Sequence, residues 1–144
     1  IINSNAVIGG EGNGGVIYPE LHYGRDALVG IALFLSLLAK SGKSCRELRK
    51  TFPDYYISKN KIEISVGTDV GIILEKIKKK YSNKKLNEDD GLRIDFDHEW
   101  VHLRKSNTEP IIRIYAESKY EDRAEDLAQR IIGDIKRFLL ADAN

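Results

Sequence analysis

Leu92-Arg-Ile-Asp-Phe-Asp-His-Glu-Trp-Val-His-Leu-Arg104 contains His98-Glu-Trp-Val-His102, the spelling of a zinc-protease site, and its flanks decide what the chain is. That motif works only on a helix, where residues four apart share a face and both imidazoles reach one zinc. Here Leu92, Ile94 and Phe96 alternate with Arg93, Asp95 and Asp97, and the β-favouring Trp100 and Val101 follow. Period-2 alternation on both sides of a short polar break predicts a β-hairpin turning near Asp97–Glu99. On a continuous strand the two histidines would stand roughly 13 Å apart, too far for one zinc. His102 is therefore read as a strand residue, His98 as a turn residue, and no metal site is assigned.

Working outward, residues 55–66 read as strand, with Ile62 and Ile64 alternating against Lys61 and Glu63. Thr68 or Asp69 caps a helix whose apolar positions Val70, Ile73, Leu74, Ile77 and Tyr81 keep helical spacing. Residues 111–117 form another strand. A last helix, from about Tyr120 to Leu140, turns Ala124, Leu127, Ala128, Ile131, Ile135 and Phe138 to one side. The order β-α-β-β-β-α predicts an α+β domain: an antiparallel four-stranded sheet with two main helices on one face.

Upstream the composition changes. Residues 1–42 hold 8 of the 12 glycines but only 5 of the Asp, Glu, Lys and Arg residues, so a boundary is expected at 42/43. Within 1–42, Ala6–Ile8 and Val16–Tyr18 read as short strands around a glycine loop, and Arg25–Lys40 as a helix. That helix is apolar on nearly every face and wants cover on all sides, more than about 42 residues supply. With no methionine in the chain, the expectation is a partial α/β segment of a preceding domain (1–42) followed by a complete second domain (43–144). Ser44 with Glu47 spells a capping box for a short helix that Pro53 stops.

The net charge of +1 argues against a dedicated nucleic-acid or membrane-surface binder. The thirteen-residue apolar run Ala27–Ala39 is too short to span a bilayer. Cys45, the single cysteine, excludes an intrachain disulfide and fits a reducing compartment, hence an expected cytoplasmic location.

Two loops carry chemistry. Gly10-Glu-Gly-Asn-Gly-Gly15 satisfies G-x-G-x-x-G, but Val16-Ile-Tyr-Pro follows where a dinucleotide site needs a helix. Glycines flanking one carboxylate, Glu11, and one amide, Asn13, suit hydrogen bonding to sugar hydroxyls. Arg104-Lys-Ser-Asn-Thr-Glu-Pro110 joins two strands and offers a guanidinium, two hydroxyls and an amide, the donor mixture that phosphate asks for. It is also the composition of an ordinary solvent loop. The cluster Lys76, Lys78, Lys79, Lys80, Lys84 and Lys85 reads as the solvated end of an amphipathic helix. The alternative is a non-enzymatic α/β nucleic-acid-binding module that uses these lysines, which aromatic residues on the sheet face would favour.

The two loops together, in this order, resemble the C-terminal part of an α-D-phosphohexomutase, the family of phosphoglucomutases, phosphomannomutases and phosphoglucosamine mutases. The first is similar to the family's sugar-recognition loop, Gly-Glu-x-Ser-Gly-His, with Asn13 in place of serine and Gly15 in place of histidine. The second, followed by Arg113 and Glu117, is similar to the phosphate-binding loop of its fourth domain. The resemblance implies sugar contacts from Glu11 and Asn13, and a grip on the non-transferred phosphate by Arg104, Ser106, Asn107 and Thr108. It implies a fold of the TATA-binding-protein kind for residues 43–144. It also implies a parent enzyme, an intramolecular phosphotransferase, that interconverts hexose 1-phosphate and hexose 6-phosphate of glucosamine, glucose or mannose. The family's phosphoserine and Asp-x-Asp-x-Asp magnesium loops have no match in these 144 residues. The chain is thus expected to hold no catalytic residue, no metal and no cofactor of its own. Magnesium belongs to the parent, the partners are a phosphosugar and the missing N-terminal domains, and neither nucleic acid nor membrane is a partner.

Overall fold

The structure, a computed structural model, describes residues 5–10, 14–65 and 67–142, and it divides into two compact units, Ile1–Pro53 and Asp54–Asn144. The division follows Pro53 and not Gly42, because the short helix with the Ser44 cap packs on the long helix before it.

In the first unit, β1 (Gly9–Gly10) pairs antiparallel with β2 (Val16–Ile17), so the ladder takes two glycines and leaves the expected strand at Ala6–Ile8 unpaired. Val7 and Ile8 are exposed. Helix α1 (Ala27–Ser41) starts where the Asp26 carboxylate accepts from the Val29 N–H and ends on Gly42 in a left-handed conformation. It lies close to β2: a Cβ on Gly30 would sit 3.0 Å from a methyl of Val16. None of its residues is buried, and Leu28, Ile31, Phe34, Leu35 and Leu37 are exposed. Helix α2 (Cys45–Arg49) carries the expected capping box, with the Ser44 N–H donating to Glu47 and the Glu47 N–H to Ser44.

The second unit is one antiparallel sheet with two helices. Its strands are β3 (Tyr56–Glu63), β4 (Lys85–Asn87), β5 (Leu92–Asp95), β6 (Trp100–Lys105) and β7 (Ile111–Ser118), in spatial order β3-β7-β6-β5-β4. The sheet has five strands, not four. The extra edge strand β4 is three residues long with a single apolar residue, Leu86, too short for its alternation to register in the sequence. The 92–104 hairpin is as expected: Ile94 faces Val101, Leu92 faces Leu103, and the Phe96 N–H closes the turn on the Glu99 carbonyl at 2.8 Å. HEWVH therefore lies on a turn and a strand, not on a helix.

Alternation sends Ile62, Leu92, Ile94, Val101, Leu103, Ile112, Ile114 and Ala116 to one face, where helices α3 (Val70–Lys80) and α4 (Glu121–Asp142) cover them. A one-residue slip of any strand would expose this set, so burial pins the register. Asp69 caps α3 by accepting from the Gly71 N–H. One carboxylate is buried between the helices. Asp134, 1% exposed, accepts from the Tyr81 hydroxyl at 2.8 Å and pairs with Lys80 at 2.6 Å and with Arg137. Burial pushes its pKa up, but the hydrogen bonds from Lys80 and Tyr81 and the charges of Lys80 and Arg137 outweigh that and hold it below the ordinary aspartate value. No helix of the described residues is long and apolar enough to cross a membrane.

Candidate functional site

The uncovered face of the sheet is built from the alternate set of residues. Strand register sorts them into three rows. Farthest from the β6–β7 loop run Ile57, Glu117, Trp100 and Asp95; next come Lys59, Tyr115, His102 and Arg93. Nearest the loop, Lys61 stands opposite Arg113, and Arg113 opposite Arg104. The far row is settled with the help of Arg93 from the next: the Trp100 indole donates to Glu117 at 2.8 Å, Arg93 lies 4.7 Å from the Trp100 ring, and Arg93 reaches Asp95 at 2.7 Å. The near row is three cations side by side, an arrangement that like charges make unfavourable in a bare sheet.

The acids around that row are few and loosely placed. Arg104 pairs through Nε with Asp90 at 3.2 Å, and Arg113 stands 3.9 Å from Glu109, with all four side chains about half exposed. Lys61 has no acidic partner among the described residues. The aspartate that holds Arg104 comes from the β4–β5 turn, whose carbonyl at Asp90 also meets the His102 ring. This turn is pressed onto β6 at Gly91, where φ is +81° and a Cβ would fall 2.3 Å from the Leu103 carbonyl oxygen. Only glycine fits there.

The loop itself, residues 106–110, is tied at its mouth and open at its crown. The Ser106 N–H donates to the Ile111 carbonyl at 3.1 Å, and the Pro110 carbonyl accepts from Ile64 at 2.9 Å. Between these ties the backbone N–H groups of Asn107, Thr108 and Glu109 donate to no protein acceptor among the described residues, and the Asn107 and Thr108 side chains are exposed. Ser106 is buried and its Oγ has no hydrogen-bond partner among the described residues. Successive free N–H groups beside guanidinium groups make an anion-binding concavity.

The structure thus brings Arg104, Ser106, Asn107 and Thr108 together at one end of the sheet. It adds Lys61, Asp90 and Gly91, which sequence reasoning missed because only strand register and turn packing place them there. Glu11 and Asn13 lie outside the described residues. The lysine cluster is largely engaged: Lys78 pairs with Glu75 and Glu88, Lys80 with Asp134, and Lys76 lies over Phe138. The open sheet face does carry Trp100 and Tyr115, the aromatics a nucleic-acid binder would use, but Arg93 and Lys59 already lie over their rings. Among the described residues no three of His, Cys, Asp or Glu gather as metal ligands would, so no residue here is given a metal-binding role.

Comparison with known proteins agrees with this anatomy. The family model for "Phosphoglucomutase/phosphomannomutase, C-terminal domain" matches residues 66–133, and that for "alpha/beta/alpha domain III" of the same family matches residues 1–56. A phosphoglucomutase/phosphomannomutase of Thermococcus kodakarensis is 41% identical over 128 residues, which is 88% of this chain and 28% of the relative. A phosphoglucosamine/phosphogalactosamine mutase of Sulfurisphaera tokodaii is 40% identical over 133 residues, 91% of this chain and 29% of the relative. A crystal structure of a Burkholderia thailandensis phosphoglucomutase/phosphomannomutase family protein shares the fold, with a TM-score of 0.66 at 23% identity over 97% of this chain and 29% of that one. The chain spans under a third of the length of the relatives it matches. Sequence models of two successive domains of one family, together with the shared fold, show that this chain belongs to the phosphoglucomutase/phosphomannomutase family.

Proposed function

We propose that this chain is the substrate-recognising part of a phosphohexomutase that interconverts hexose 1-phosphates and 6-phosphates, and that residues 104–113 grip the phosphate that is not being transferred. The observation that carries the reading is the cationic row Lys61–Arg113–Arg104 beside a loop with three unused backbone donors. A phosphate dianion would relieve the repulsion in the row and take up the donors together. The orphaned Ser106 hydroxyl supports the same reading, since a buried unpaired hydroxyl costs about 1–3 kcal/mol unless a ligand uses it.

In this reading Glu11 and Asn13 meet the sugar's hydroxyls, and the sugar is glucosamine, glucose or mannose. The phosphoserine and the magnesium that assists it, which supply the phosphoryl-transfer chemistry, belong to parts of the parent that these residues do not represent. The contribution of this chain is orientation: binding energy from a remote phosphate holds the reacting end in place. Because the clamp recognises only phosphate, it serves either end of the sugar as the substrate turns over between half-reactions. A reducing cytoplasmic setting suits the single, exposed Cys45.

Calorimetric titration with a hexose 6-phosphate, and with the free hexose as control, tests the reading. The phosphate ester binds and the free sugar does not, and Arg104→Ala weakens binding at least tenfold while leaving the circular dichroism spectrum intact. Equal affinities of wild type and Arg104→Ala would overturn the clamp. The competing nucleic-acid reading predicts binding of single-stranded RNA that Arg93→Ala weakens instead.

A further inference from the structure

At the other end of β6 and β7 from the 106–110 loop, a cavity of about 480 Å³ lies between the β5–β6 turn and the junction of β7 with α4. Phe96 forms its apolar wall. Two cations converge on that one ring: Lys84 lies 5.6 Å and Arg130 5.2 Å from its centroid, while Tyr81 meets it edge-on at 6.0 Å. Neither cation has an acidic partner among the described residues. Lys119 and Arg123 also line the cavity, as do Asp97 and Glu99. Glu99 is already taken, by Arg123 at 3.3 Å. What remains is Lys84, Lys119 and Arg130 against Asp97, with Asp126 one helical turn from Arg130 in the adjoining hollow.

An aromatic ring attracts each cation separately. It does not neutralise either charge, and neither cation lies within ion-pair distance of a carboxylate among the described residues. We propose that this cavity is a binding site for a small multivalent oxyanion, held by Lys84, Arg130 and Lys119. The ligand's charged group is phosphoryl or polycarboxylate. The site stands on residues that the phosphate clamp does not use and does not depend on the reading of that clamp.

The test uses the whole chain carrying Arg104→Ala, so that binding at the loop does not contribute. Inorganic phosphate, citrate and sodium chloride at matched ionic strength are titrated while the amides of residues 96–99 and 118–120 are followed by NMR. Phosphate, citrate or both shift these amides saturably and raise Tm, and sodium chloride does neither; which anion acts identifies the charged group. Lys84→Gln and Arg130→Gln each weaken the response at least fivefold. Shifts that sodium chloride reproduces, or that survive both glutamine variants, would overturn the site.

Discussion

Ser106→Ala separates stability from function more cleanly than any other single change. The wild-type hydroxyl is buried with no partner among the described residues, so it carries the desolvation cost of an unpaired hydroxyl, about 1–3 kcal/mol. Removing one oxygen forfeits a few van der Waals contacts at roughly 0.1–0.2 kcal/mol each. The balance favours the variant by about 1 kcal/mol, or about 4–8 °C in Tm for a domain of under a hundred residues. Phosphate binding moves the other way. Losing one hydrogen bond to a charged oxygen costs about 1.5–3 kcal/mol, a drop of roughly ten- to a hundredfold in affinity. Thermal melts with and without a hexose phosphate, monitored by circular dichroism, read both quantities in one experiment. A variant that melts several degrees lower without ligand would show that the hydroxyl is a structural bond. A variant of raised Tm and undiminished affinity would show that it is not part of the clamp.

Gly91→Ala places a Cβ against the Leu103 carbonyl in a left-handed conformation, so a loss of about 2–4 kcal/mol in chemical denaturation is expected, together with displacement of the Asp90 turn from Arg104. Lys61→Met leaves the melting temperature unchanged or higher and weakens phosphate binding about three- to tenfold by calorimetry, since it removes one charge from a row of three. Asp134 has a lowered pKa in the folded chain, so the stability it confers is present above the ordinary aspartate value of 3.8 and is lost as pH falls below it; Asp134→Asn flattens that part of the acid denaturation profile. Tyr81, pushed up to about 12 by burial and by its hydrogen bond to Asp134, gives the opposite sign. Its contribution holds below pH 10 and is lost as pH rises through about 12, and Tyr81→Phe removes a late-titrating phenol from the ultraviolet absorbance titration.

Much of the second unit was legible because its apolar residues keep strict periods. Ile94 and Val101 had to meet across a hairpin for both to be buried, and that alone removed the helix on which HEWVH would bind zinc. The capping signals at Ser44 and Asp69 were equally local and equally readable. Strand β4 was not, since one leucine between two polar residues has no period. Nor was the row Lys61–Arg113–Arg104, because the distance between residues 61 and 104 in the chain says nothing of their adjacency across two ladders. Asp90 and Gly91 read as turn chemistry, and only the packing of that turn on β6 shows that it braces an arginine. The unit boundary fell after Pro53 because composition changes at Gly42 while packing continues through α2. The loop residues Arg104, Ser106, Asn107 and Thr108 stand out by donor type, which composition carries directly, and their grip on phosphate is a proposal.

The most direct test of the account is an amide-resolved NMR titration of this chain with a hexose 6-phosphate, with the unphosphorylated hexose as control. The account predicts saturable shifts centred on Arg104–Thr108 and extending to Lys61 and Arg113, absent with the free sugar and lost in Arg104→Ala. Shifts that the free sugar reproduces, or that leave residues 104–108 and 113 unmoved while the ester binds elsewhere, would contradict it.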